Sequence, residues 1–355
     1  MIAGGPAGTG GTGGGLARLI ADSAVTRGQV DALNRQIATN RVADTFAGLG
    51  AAARTSLTLR PQIARSETWR GNIEAVQGRL GQAQLSLKAM AQIATAFYAD
   101  TNKINTVDPS QTDMVAQAAR QALGAMVGHL NSRSGDTYLF AGKDSANPPI
   151  PDPESILDSP FVADIRAAVQ GLAANGAAAT IAATLDTASG ASPFSAGLAA
   201  VGGDAVPRVE VGEGQYVQVG VLADRNTLSA SGGDSTTGSY GRDVMRALAT
   251  LGSLSGTQVT TPGFDALVAD TRDSLRGAIK AMSEEAGALG NLEAGLDTRK
   301  TQLSDQEVVL KGQISSVEEV DMAEALSRLT QTETRLQASY QLISGSRGLS
   351  LVNFL

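Results

Sequence analysis

An apolar residue stands at every seventh position from residue 275 to residue 317: Leu275, Met282, Leu289, Leu296, Leu303, Leu310 and Val317. Seven residues make close to two turns of α-helix, so these side chains lie along one line of a single helix. The spacing therefore predicts a helix of about 60 Å or more at ~1.5 Å per residue, longer than an ordinary globular helix. The alternate seam position is mixed, holding Ala278, Glu285, Leu292, Arg299, Gln306, Gln313 and Val320. A line strict at one heptad position and polar at the other predicts burial along a narrow strip rather than a tight two-stranded zipper.

The line continues toward the end of the sequence. Met322, Leu326, Leu329, Leu336, Tyr340 and Ile343 recur at intervals of three and four or their multiples, followed by the apolar Leu351, Phe354 and Leu355. Such a stripe asks for a covering helix, from this chain or from another copy. A candidate lies near the other end, where Leu16, Leu19, Val30, Leu33 and Ile37 occupy heptad positions and Ser23 and Thr26 fill the remaining seam sites. Both terminal stripes are weakened by polar residues, so they are expected to be firmly ordered only on assembly and to exchange amide protons rapidly in the monomer.

Between these ends the pattern changes several times. Asp44 to Gly50 interrupts the helix as a bend, and Ile73, Val76, Leu80, Ala83, Leu87, Met90, Ala94 and Phe97 then form the cleanest helical stripe of the first half. After Asp108-Pro109, Ser110-Gln-Thr-Asp113 reads as a capping box opening another helix through Leu130, with Gly135 as its C-cap and Thr137 to Phe140 as a short strand. Prolines 148, 149, 151 and 153 and the Ser/Gly/Thr-rich run 229–238 read as crossings into an insertion. Within it Val206 to Val221 alternates about Gly212-Glu-Gly214 as a β-hairpin, and the Ala-rich stretch 162–198 stays ambiguous between structures. Helix resumes at Tyr240 and again after Pro262.

The expected fold is mainly α: a long antiparallel coiled-coil rod formed by the N- and C-terminal halves, with an inserted α+β domain containing a β-hairpin. Its parts are a terminal coiled-coil domain, residues 1–45 with 310–355; a helical rod domain, 46–143 with 239–309; and an inserted outer domain, 144–238. Aromatic residues make up only 4% of the chain, so Ala, Leu and Val must fill narrow helix seams.

Composition removes several functions. Cysteine is absent, which excludes disulfides, thiolate catalysis and Cys-based metal sites. A formal net charge of -7 without a run of Lys or Arg argues against nucleic acid. No basic segment precedes an apolar core at the start, and no apolar run approaches the ~18 residues of a membrane span, so neither a cleaved secretory signal nor membrane insertion is expected. Gly8 to Gly13 formally matches a dinucleotide-binding glycine pattern, but no strand precedes it and no βαβ unit follows. His129 is the one histidine and reads as a packed or partly exposed helix residue. Glu284-Glu285 and Glu318-Glu319-Asp321 read as a solvated face or as ion-pair partners between subunits. Asp321 and Glu324 share a helix side near Arg328, either as local helix support or as inter-subunit ion pairs. No catalytic residue, cofactor or metal is expected.

The paired terminal segments, together with the run Val320-Asp-Met-Ala-Glu-Ala-Leu-Ser-Arg-Leu, Leu336-Gln-Ala-Ser-Tyr-Gln-Leu-Ile and the closing Leu349-Ser-Leu-Val-Asn-Phe-Leu, resemble the flagellin superfamily. Asn34-Arg-Gln-Ile-Ala-Thr-Asn-Arg resembles its N-terminal helix signature, and Gly135-Asp-Thr-Tyr-Leu-Phe-Ala-Gly142 its following strand. Within the superfamily the chain is more similar to the hook-associated protein 3 group. The opening Met-Ile-Ala-Gly-Gly-Pro departs from the Ile-Asn-Thr-Asn start typical of flagellins. The resemblance implies a structural subunit joining flagellar hook to filament. It would be extracellular, exported unfolded by the flagellar type III apparatus with a chaperone, and assembled as a helical homo-oligomer beside other hook-associated proteins and flagellin. The alternatives are flagellin itself and a secreted coiled-coil protein of another type III system.

Overall fold

A computed structural model describes residues 13–200 and 205–348. The chain is mainly α, with two small antiparallel hairpins among the described residues. It divides into two compact units: residues 1–67 with 305–355, and residues 68–304. Two helices contribute to both, α2 (Ala52–Asp100) and α8 (Phe264–Glu318).

In the second unit the seven-residue ladder is the core of α8. Leu275, Met282, Leu289, Leu296 and Leu303 are all buried, and so is the α2 stripe from Ile73 to Phe97. The helices run antiparallel here, with Gln84 donating to Glu293 at 3.1 Å and Lys300 pairing with Glu74 at 3.1 Å. Each buried Leu contributes roughly 1.5–3 kcal/mol. This core widens where α3 (Pro109–Leu130) packs on α7 (Tyr240–Ser253), with Tyr240, Phe140, Phe161 and Phe264 buried among them.

The Ala-rich stretch resolves into helices. Those are α4 (Pro160–Gln170), which packs on α7, and α5 (Leu172–Ser189), kinked at Gly176, whose φ of 76° is open to glycine at little cost. A short α6 (Ala196–Ala200) follows. Residues 144–200 and 205–238 lie in the same unit as the helices that flank them.

The hairpin expected about Gly212 to Gly214 forms, and the short strand expected at Thr137 to Phe140 forms at Thr137–Tyr138 but pairs with an unexpected strand at Arg133–Ser134; the roles of three further residues differ from the sequence reading. Gly135 (φ 58°) is the turn between β1 (Arg133–Ser134) and β2 (Thr137–Tyr138); the C-cap of α3 is Asn131, four residues earlier. The N-cap of α3 is Asp108, whose carboxylate accepts Ser110 N at 3.2 Å with Pro109 in the first turn. No capping box forms at Ser110, because Asp113 instead accepts Gly256 N at 2.8 Å from the far side of the sequence.

The second hairpin, β3 (Arg208–Gly212) and β4 (Gln215–Gln218), turns at Glu213-Gly214 with a register shift between Glu210 and Gly212. It is fastened to the long helices: Asn72 of α2 donates to Glu210 O at 2.9 Å, and the Arg299 guanidinium of α8 reaches Val211 O at 3.5 Å.

Glu285 is the largest departure. The sequence reads it as part of a solvated face or as an ion-pair partner between subunits, yet it is 0% exposed. Its two carboxylate oxygens accept the backbone N–H groups of Thr227, Leu228 and Ser229 in four contacts of 2.7–3.1 Å. A buried carboxylate is tolerable only when it is so fully hydrogen-bonded. Its negative charge and burial together hold the neighbouring Tyr240 phenol well above its ordinary range, burial being the larger cause. Its sequence neighbour Glu284 is exposed and lies 3.7 Å from Lys280.

Candidate assembly interface

In the first unit, α1 (Gly13–Thr39) and α9 (Met322–Gly348) pack against each other. They run antiparallel, since Ser23 near the start of α1 hydrogen-bonds Ser339 near the end of α9, whereas Arg41 bridges Glu319 at the opposite end. On α1 the covered positions are Leu19, Ser23, Thr26, Val30, Leu33 and Ile37, alternating four and three apart as the heptad predicts. On α9 they are Ala325, Leu329, Thr332, Leu336, Ser339 and Ile343, again alternating four and three.

The stripe read from the sequence of α9 is thereby split in two. Leu329, Leu336 and Ile343 face α1, but Leu326 and Tyr340 stand one helix position away and are exposed, by 49% and 47%; Met322 keeps the seam register at the first residue of α9 and is exposed by 39%. The small or polar Ala325, Thr332 and Ser339 take their places in the seam. They were invisible to a search for apolar spacing, although a 3-4 alternation through Leu329, Leu336 and Ile343 passes through all three. Leu342 of α9 and Ile20 and Val25 of α1 add to the exposed apolar surface. The side chain of Leu16, and residues Leu351, Phe354 and Leu355, lie outside the described residues, as do the glycine pattern before Gly13 and the closing Leu349 to Leu355.

Charges follow the same local logic. Asp321 caps α9, its Oδ1 accepting Ala323 N at 2.9 Å and Glu324 N at 3.1 Å. Glu324 pairs with Arg328 one turn along the same helix, both exposed. These contacts are the local helix support that their spacing allows.

Below the α1/α9 pair, the lower ends of α2 and α8 are clamped by ion pairs: Lys311 to Glu67 at 2.9 Å and Arg60 to Glu318 at 2.5 Å. Along this part of α8 the second seam position moves. Glu307 is buried and Ile314 half-buried, while the expected Gln306 and Gln313 are exposed. The carboxylate of Glu307 reaches Lys311 at 3.4 Å, which gives a buried acid a partner one turn away. Beside the elbow between the helix pairs lies a cleft of about 200 Å³ containing Arg41, Phe46 and Arg60. His129 is half-buried near the end of α3, and no helix among the described residues is long and apolar enough to cross a membrane.

Residues 273–355 match the family described as the bacterial flagellin C-terminal helical region. The matched segment takes in α8 from Asp273 onward and all of α9. No curated protein matches the chain.

Proposed function

We propose that the chain is a structural subunit of the bacterial flagellum, without catalytic activity, assembled helically from many copies outside the cell. The observation that carries this reading is the coincidence of the flagellin C-terminal match with a helix, α9, that covers one face within the chain and leaves another apolar face open. The assembly interface in this reading comprises the seam residues Leu19, Val30, Leu33, Ile37, Leu329, Leu336 and Ile343, which shape the pair. Met322, Leu326 and Tyr340 meet the neighbouring copies, and Leu16, Leu351, Phe354 and Leu355 are assigned to the same interface on their sequence pattern. Asp321, Glu324 and Arg328 then lie at the rim, where charge pairs set register more than affinity.

The more specific role is that of the junction between hook and filament, for which the support is the similarity of the middle of the chain and of the closing Leu-Val-Asn-Phe-Leu to the hook-associated protein 3 group. In that role residues 1–45 with 310–355 form the inner layer, 46–143 with 239–309 the next, and 144–238 the outer part. Export unfolded through the flagellar type III apparatus suits a cysteine-free chain with thin terminal seams. Immuno-electron microscopy tests the reading: gold confined to the hook end is expected, gold along the whole filament would make the chain a flagellin, and absence from flagella would refute both. Secretion that persists without the flagellar export gate would assign it to another type III system.

A further inference from the structure

The elbow of the first unit is closed by one residue acting in two directions. Glu318 is the last residue of α8. Its carboxylate accepts the Ser56 hydroxyl, Arg60 Nε at 3.1 Å and Arg60 Nη2 at 2.5 Å, all from α2. Its main-chain carbonyl accepts Val42 N at 2.7 Å, from the connection between α1 and α2. One residue thus ties α8 both to the neighbouring long helix and to the strand of chain leaving the terminal pair.

The surroundings reinforce that tie. Asn40 ends α1 with a φ of 54°, a left-handed conformation that Asn tolerates and that redirects the chain. Gln36 Nε2 then holds Val42 O at 2.8 Å, and Arg41 bridges Glu319. The Arg60 guanidinium lies 5.8 Å from the centre of the Phe46 ring in the same connection. On the other crossing only Glu319, Val320 and Asp321 separate α8 from α9, and Ser315 Oγ donates to Glu319 at 2.7 Å. The charged groups facing the Glu318 carboxylate are therefore Arg60 from α2 and Arg41 from the α1–α2 connection, with Asp44 also lining the cleft and Glu319 next in the chain, where its carboxylate accepts the Ser315 hydroxyl.

A surface ion pair by itself contributes little, because solvent screens it and two long side chains must be ordered. Three features set this one apart. The Glu318 side chain is only 13% exposed, the arginine engages it through two nitrogens, and the serine that completes its shell is fully buried. We propose that Glu318 is a clasp that presets the elbow, its carboxylate locking α8 to α2 so that its own carbonyl is held where Val42 can dock and the α1/α9 pair leaves in one fixed direction. In this role Glu318 is a positioning residue for the terminal pair. The proposal stands independently of the flagellar reading, since it concerns one chain alone.

The Val42 amide gives a direct readout. Its acceptor is a main-chain oxygen, which substitution of the side chain leaves in place. In the full chain, Glu318→Ala and Arg60→Ala are each expected to lower the hydrogen-exchange protection of Val42 about five-fold or more, with the double variant no worse than the weaker single. Glu318→Gln, which keeps an acceptor but removes the charge, should fall between wild type and Glu318→Ala. Protection at Leu80 and Leu289 should not change in any of them. Unchanged Val42 protection in both single variants, or effects that add in the double, would overturn the clasp. Should Glu318→Ala also lower protection at Leu289, the milder Arg60→Ala and Glu318→Gln decide by the same criterion.

Discussion

Two glutamates of the same helix show how far a residue's environment overrides its type. Glu285 sits among apolar neighbours and is held by backbone N–H groups from a loop 56–58 residues away in sequence. Replacing it with Ala leaves those donors buried without an acceptor, and each such group costs about 1–3 kcal/mol. Chemical denaturation should therefore show Glu285→Ala destabilised by about 3 kcal/mol or more, and Glu285→Gln by less. Glu318 behaves differently because Arg60 first, then the Ser56 hydroxyl, hold its carboxyl below the usual glutamate range. A carboxyl depressed in the folded state adds stability that is complete above its unfolded value of about 4.3 and disappears as pH falls through the lower folded value. Val42 protection, corrected for intrinsic exchange, should be constant near pH 7 and fall in that acid window; a loss beginning near pH 6 would point to another group.

At the scale of helices, glycine gives the sharpest contrast. Gly78 lies within α2 with open space where a Cβ would stand, so Gly78→Ala should stabilise the chain by roughly 1 kcal/mol through helix propensity alone. The same substitution at Gly241 of α7 places a Cβ 2.5 Å from Ala223 O and should destabilise it. Thermal unfolding of the two variants should shift in opposite directions. The terminal pair yields a second contrast: Leu336→Ala removes a seam residue and should speed amide exchange in α1, whereas Leu326→Ala, on the open flank, should leave it unchanged in the monomer.

Much of this element-level picture was legible in the sequence. The ladder from Leu275 to Leu310 and the stripe from Ile73 to Phe97 are buried along the lines their spacing drew, because a period of three and four is a property of one helix and needs no knowledge of its partner. The alternation about Gly212 to Gly214 likewise gave the hairpin. What failed depends on residues remote in sequence. Asp113 reads as a cap but serves Gly256, and Glu285 reads as a solvated or inter-subunit charge but anchors Thr227 to Ser229. In α9 the seam runs through Ala325, Thr332 and Ser339, small side chains that a helix tolerates at close approach and that apolar spacing does not flag.

For the molecule as a whole, these observations set two demands on the terminal pair. One face is closed within the chain by a thin seam, and the other presents Leu326, Tyr340 and Leu342 to solvent. A surface of that kind is reasonable for a subunit whose neighbours complete it, and costly for a protein that stays alone. The demand falls on one experiment: sedimentation of the full chain over a range of concentrations, wild type beside the double variant Leu326→Ser, Leu342→Ser. The account predicts concentration-dependent assembly of the wild type and loss of that assembly in the variant, with helical content unchanged. Assembly by the variant indistinguishable from wild type would contradict it.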